Sequence, residues 1–174
     1  MLLSVGEVNK NKNHKVIIEA LHHLKNENIH YCIAGQGEDL DQLIKLATKY
    51  DLERNVHFLG FRDDIKELLL VADVFCFPSR REGLGLAAIE AMASGIPVIS
   101  SNIHGIKDYS INGKTGYSYK PDDAAGFSDA IKNLMNNKKL RNEFGNMAIE
   151  VAKSFSLEQS QWYMKEIYQH ISGD

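Results

Sequence analysis

Apolar residues fall along the chain in two rhythms. Short apolar runs, each ended by glycine or a polar turn, alternate with longer stretches that carry an apolar residue every three or four positions. The short runs are Leu2–Val5, 30–34, 56–59, Val74–Phe77 and 98–100, and each reads as a buried strand. Between them, Ile17, Ala20, Leu21 and Leu24 mark one amphipathic helix, and Leu40, Leu43, Ile44 and Ala47 a second. A short helix covers about 63–71, and an Ala-rich one runs from Leu86 to about Ser94, where Gly95 and Pro97 stop it. Residues 117–119 add a sixth, short strand after the turn Asn112-Gly113-Lys114. Beyond Pro121 the chain turns helical. Phe127, Ile131 and Leu134 form one stripe, and Leu140, Phe144, Met147 and Val151 another. A last helix over 157–171 places Tyr163, Ile167 and Ile171 on one side, with Trp162 nearby.

Strands alternating with helices predict an α/β fold: a Rossmann-like, doubly wound parallel sheet of about six strands with C-terminal helices. Ligands of such sheets bind beyond the carboxyl ends of the strands. Here those ends carry Gly6, Gly35, Gly60, Pro78 with Ser79, and the segment from Asn102 to Gly105.

One stretch concentrates the chemistry. After the Val74–Phe77 run come Arg80, Arg81 and Glu82, then Gly83 and Gly85, then the Ala-rich helix. A glycine turn at a helix start lets backbone N–H groups approach an anion, and the helix dipole favours negative charge there. That setting suits a phosphate. Glu82 precedes the helix and Glu90 sits in its second turn, so two acids bracket the expected anion site. Carboxylates placed there suit the hydroxyls of a sugar or ribose. Lys10 and Lys12 sit in the polar loop after the first strand, on the same rim.

Composition narrows the picture. The chain has 174 residues, enough for one domain. Its net charge of −3 leaves no electrostatic footprint for nucleic acid. No apolar run is long enough to span a membrane. Met1 to Val5 lacks the basic region of a secretory signal. Cys32 and Cys76 fall inside strands and read as buried, reduced thiols, which favours a cytoplasmic location. The histidines show no spacing with carboxylates that suggests a metal site, and no Walker-type, Gly-x-Ser-x-Gly or Cys-x-x-Cys pattern occurs.

The segment Glu82 to Glu90, with its glycines, its small-residue helix and the ending Gly95-Ile96-Pro97-Val98, resembles the E-x7-E segment of retaining glycosyltransferases of the GT-B fold, family 4 or group 1 type. The resemblance covers nearly the whole chain and corresponds to the C-terminal, nucleotide-sugar-binding half of such an enzyme. It implies a single donor-binding domain over 1–174, a separate piece or truncation of an enzyme whose N-terminal acceptor-binding domain is absent. In the resembled family the terminal helices cross back onto that domain.

The resemblance also implies roles. Glu82 and Lys12 would be catalytic, Glu82 near the transferred sugar and Lys12 on the donor phosphate. Donor binding would fall to Gly6, Lys10, Phe61, Arg62, Ser79, Gly83, Leu84, Gly85, Leu86 and Glu90. Of these, Gly85 and Leu86 would act through their N–H groups, and Glu90 would hold the ribose hydroxyls. No metal and no cofactor are implied, since the nucleoside diphosphate sugar is a substrate.

Three positions depart from the family pattern. Glu7 stands where many relatives carry a diphosphate-binding Arg, Asn13 where they usually carry Gly, and Asp108 where they usually carry Glu. An acid at position 7 repels phosphate unless it points away, pairs with Lys10 or Lys12, or is offset by Arg80 or Arg81. The implied activity is transfer of a hexosyl group, from a UDP-sugar by preference, to a glycan or lipid-linked acceptor. The loop from Asn9 to His14 looks most like those of enzymes building capsular or O-antigen polysaccharide. Association with the inner face of the membrane would come through the missing half. The alternatives are an epimerase-like GT-B enzyme and a nucleotide- or sugar-binding module without turnover.

Overall fold

The computed structural model describes residues 1–25 and 28–172. Among the described residues six strands form one parallel sheet: β1 (Leu2–Val5), β2 (Tyr31–Ala34), β3 (Val56–Gly60), β4 (Val74–Phe77), β5 (Val98–Ser101) and β6 (Gly116–Tyr119). Their order is β3-β2-β1-β4-β5-β6. The helices are α1 (His14–Leu24), α2 (Leu40–Lys49), α3 (Ile65–Val71), α4 (Leu86–Ala93), α5 (Ala124–Asn136), α6 (Lys138–Lys153) and α7 (Leu157–Ser172). The α/β expectation holds, and element ends shift from the sequence reading by one or two residues, as frayed ends do.

The sheet is buried on both faces: its inner strands are apolar except for the small buried serines Ser4 in β1 and Ser100 and Ser101 in β5. In β4, Cys76 faces one core with Leu2, Ile33 and Ile99, while Phe75 and Phe77 face the other with Leu3 and Val98. Helices α1, α2 and α5 supply Ile17, Leu43 and Phe127 to the first core. Helices α3, α4 and α6 supply Leu69, Met92 and Ala148 to the second. A fully buried side chain such as Phe75 contributes roughly 1.5–3 kcal/mol. Cys32 and Cys76 are buried free thiols, as their strand positions imply.

Two helical stripes differ from their periodicity. On α6 Phe144 is buried, but Met147 is 44% exposed. The face of α6 that meets the second core is made of small residues, Gly145, Ala148 and Ala152. A Cβ on Gly145 would overlap the Gly95 carbonyl at the end of α4, so the two helices approach through Gly and Ala rather than through the larger stripe. On α2 Leu43 and Ala47 are buried while Ile44 is 43% exposed. Helix α7 forms where expected, but the side chains of Tyr163, Ile167 and Ile171 lie outside the described residues.

Candidate functional site

The strand order reverses between β1 and β4, so a crevice opens above the carboxyl ends of those two strands. Two loops form its floor, residues 6–13 after β1 and residues 78–85 after β4. Asparagines lace them together. The Asn11 side chain donates to the Arg81 carbonyl at 3.0 Å and accepts from the Arg81 N–H at 3.0 Å. The Arg80 N–H donates to the Asn11 carbonyl at 2.8 Å. Asn13 Nδ2 donates to the carbonyls of Pro78, at 3.1 Å, and Pro121, at 2.8 Å. Asn13 holds a left-handed conformation, φ 56°, as N-cap of α1. That explains both the usual Gly of the resembled family and its replacement here, since Asn tolerates this region best among residues with a side chain.

Across the crevice Lys12 Nζ lies 2.6 Å from Glu82 Oε2. The ammonium also sits 5.1 Å from the centre of the Phe77 ring, and the Lys12 stem passes over Gly6, whose added Cβ would lie 3.4 Å from Lys12 Cε. Lys12 and Glu82 are 22% and 17% exposed, so both retain access to the crevice. Beside them α4 begins. Gly85 is its N-cap at φ 73°, without a side-chain cap, and the first N–H groups of the helix have no intrahelical acceptor. A Cβ on Gly85 would stand 2.6 Å from the Tyr109 hydroxyl and 2.7 Å from the Phe77 ring. Tyr109 is fully buried, and its hydroxyl has no hydrogen-bond partner among the described residues. Burial, reinforced by the Glu82 and Asp108 carboxylates, pushes this phenol well above its usual range.

The other expected site residues divide by position. Glu90 is exposed on the second turn of α4 and carries no side-chain hydrogen bond or ion pair among the described residues. Gly83, Leu84 and Leu86 sit on the exposed turn around the helix start, Leu86 at 65% exposure. Phe61, at the end of β3, is 76% exposed, and Arg62 beside it pairs with Asp64. Ser79 is fully buried, with a hydroxyl that meets no partner among the described residues. Lys10 is not brought to Glu82. It lines a separate cleft with Asn9, His14, Lys15 and Asp39. Glu7 is exposed and forms no ion pair with Lys10 or Lys12 among the described residues, because Lys12 is held by Glu82. Arg80 is bound by Asp122 and by Asn13 Oδ1 at 3.2 Å. Among the described residues no group of three or more His, Cys, Asp or Glu is placed to hold a metal ion.

The sequence analysis assigns roles to the lysines of the 9–13 loop and marks Asn13 as a departure, but gives its asparagines no part in holding the loop. The signal was present: Asn at every second position lets the loop bind its neighbour while the intervening Lys12 reaches the crevice. His14 was missed as well. It is buried, with Nδ1 3.0 Å from the Tyr31 hydroxyl and Nε2 3.3 Å from the Glu7 carbonyl. The Tyr31 hydroxyl in turn lies 2.8 Å from Ser4 Oγ, which donates to the Cys76 carbonyl at 2.6 Å. Burial, opposed by the Glu7 carbonyl and aided by the Lys12 charge, lowers the His14 pKa to about 4.

The folded state therefore keeps His14 neutral where the unfolded chain binds a proton. Stability should be intact above pH 6.5 and fall as the pH drops towards 4, by up to about 3 kcal/mol at the low end. Urea denaturation across that range should show the loss, and His14→Gln should flatten it. An unchanged slope in the variant would assign the acid sensitivity to other groups.

The parallel sheet with helices on both faces is a Rossmann-like α/β domain of the kind found in GT-B glycosyltransferases. Residues 1–151 match the family described as Glycosyl transferases group 1, and the chain belongs to it. It is 34% identical to EpsD of Bacillus subtilis over 97% of this chain and 45% of that protein. It is 33% identical to the lipopolysaccharide core biosynthesis glycosyltransferase LpsE of Rhizobium meliloti, over 81% of this chain and 41% of that one. Among solved structures it superposes on TarM of S. aureus, in complex with Fondaparinux, alpha-GlcNAc-glycerol and UDP. The TM-score is 0.87 at 28% identity, covering 93% of this chain and 34% of that one. The chain spans less than half the length of these curated relatives. No helix of the described residues is long and apolar enough to cross a membrane.

Proposed function

We propose that the chain is the nucleotide-sugar-binding domain of a retaining glycosyltransferase, with a UDP-sugar as donor. The observation that carries this reading is the Lys12–Glu82 pair at the switch point, beside the uncapped N-terminus of α4. A diphosphate placed there would meet the Lys12 ammonium and the first N–H groups of α4. Both are fixed before reaction and aimed where charge develops on the leaving β-phosphate, which is how such donors lower a barrier. Glu82, held by Lys12, would accept hydrogen bonds from hydroxyls of the transferred sugar, and Glu90, exposed and without a partner among the described residues, from those of the ribose. A hexosyl group would pass to a glycan or lipid-linked acceptor bound by a second domain of the same enzyme, in cell-surface polysaccharide synthesis. The similarity to LpsE and to TarM with UDP supports this direction. A cytoplasmic site at the inner membrane face would follow from a lipid-linked acceptor. No metal or cofactor is required of these residues, because the lysine and the helix supply the positive charge.

Calorimetry of this chain with UDP, GDP and ADP tests the reading, with UDP expected to bind and no transfer expected from the chain alone. Glu90→Ala should weaken UDP binding by roughly 5- to 20-fold, the loss of one charged hydrogen-bonding group, with little change in melting temperature. An unchanged affinity with a large drop in melting temperature would make Glu90 structural. One observation favours a second reading, a binding module without turnover: Glu7 is exposed at the rim with no cation paired to it among the described residues. Turnover by the full-length enzyme separates the two.

A further inference from the structure

A second concavity adjoins the crevice. It is an open cleft of about 810 Å³ between residues 80–83 and the turn after β5, lined by Arg80, Arg81, Glu82, His104 and Lys107 among others. The two walls are fitted to each other. Gly105 adopts φ 80°, and a Cβ there would overlap the Gly83 carbonyl, so the turn lies directly on the Glu82–Gly83 backbone. The charges in the cleft do not cancel. Glu82 is taken by Lys12, and Arg80 by Asp122. The exposed side chains of Arg81 and Lys107 form no ion pair among the described residues, and His104 lines the cleft from the same turn as Lys107. The chain as a whole carries −3, so positive charge gathered here does not follow from composition.

We propose that this cleft binds an anionic group of the acceptor, a phosphate or a carboxylate, and holds the acceptor beside Glu82. The inference rests on the donor-domain reading above and extends it to the acceptor's chemistry. An arginine fork and a lysine point charge at the edge of one cleft suit a group with several acceptor oxygens. Lys107 is not among the expected donor contacts, and Arg81 enters them only as a charge that would offset Glu7.

The test is amide NMR of the isotopically labelled chain titrated with glycerol 3-phosphate, with glucuronate and with neutral glycerol. The phosphate or the carboxylate should shift amides of 80–83 and 102–107 saturably, and glycerol should not. Whichever anion binds more tightly names the source of the charge. Lys107→Ala and Arg81→Ala should each weaken that anion about tenfold, as loss of a charge-assisted hydrogen bond does, and Lys107→Ala should leave UDP affinity unchanged. Absence of saturable shifts there, or their complete displacement by UDP, would overturn the proposal, the second outcome returning these cations to the donor site. Failure of UDP to bind, with the anion shifts intact, would instead remove the donor reading and leave an anion-binding cleft.

Discussion

Lys12→Met is expected to lower UDP affinity by roughly 10- to 100-fold, the range of one charged hydrogen bond removed at a partly buried site. Methionine keeps the stem that packs over Gly6 and the Phe77 ring, so the substitution deletes charge with little loss of packing. It also frees the Glu82 carboxylate, which lies 2.6 Å from the ammonium in the parent. An unneutralised acid beside the diphosphate adds repulsion to the lost attraction, which places the expected effect towards the upper end. In the full-length enzyme the fall in turnover should exceed the fall in binding, because the charge on the β-phosphate grows as the bond to the sugar breaks. The pair has a structural alternative: it could serve only to tie the 6–13 loop to the 78–85 loop. In that event Lys12→Met and Glu82→Gln would lower the melting temperature alike and leave UDP affinity as it was. The asparagine hydrogen bonds already make that tie, so the melting temperature should move little.

Gly85→Ala is expected to destabilise the chain by about 2–4 kcal/mol, from left-handed strain of about 1–2 kcal/mol and an overpacking cost of similar size. The added methyl would stand 2.6 Å from the Tyr109 hydroxyl and 2.7 Å from the Phe77 ring, both on buried side chains with no room to retreat. For a domain of this length the melting temperature should fall by roughly 5–15 °C. UDP binding should fall too, because the clash moves the first turn of α4. Gly83→Ala is the internal control. Its Cβ would meet nothing within 4 Å, and Gly83 is not among the glycines with positive φ, so the variant should be close to neutral. Tyr109→Phe adds a second check. It removes a buried hydroxyl that has no partner among the described residues, so it should be neutral or stabilising and should soften Gly85→Ala. Equal melting temperatures for Gly83→Ala and Gly85→Ala would show that the turn relaxes around the methyl.

Much of the architecture was legible from local pattern. The run Val-Phe-Cys-Phe before a glycine turn placed β4, because a strand buried on both faces has no polar alternation to confuse it. The Ala-rich helix and its glycines placed α4 for equally local reasons. Stripes on α2 and α6 were less legible. Ile44 and Met147 fit the helical period but sit at its exposed margin, since the period specifies an apolar face and not how far a neighbour reaches around it.

By itself, then, the chain's sequence determined which segments become strands and helices, that the sheet is parallel with both faces covered, and which residue types stand at the carboxyl ends of the strands. These follow from periodicity, turn chemistry and the crossover rule, all local or nearly so. Only the tertiary structure decided which of those residues meet. Lys12 and Glu82 are seventy positions apart, and their contact exists because β1 and β4 are neighbours at the point where the strand order reverses. Lys12 and not Lys10 meets Glu82, and the side-chain hydrogen bonds of Asn9, Asn11 and Asn13 hold the loop that carries it. The Tyr109 hydroxyl and the charges of Arg81 and Lys107, which have no partner among the described residues, likewise arise from what surrounds them, and pairing across distant segments is a property of the packed fold.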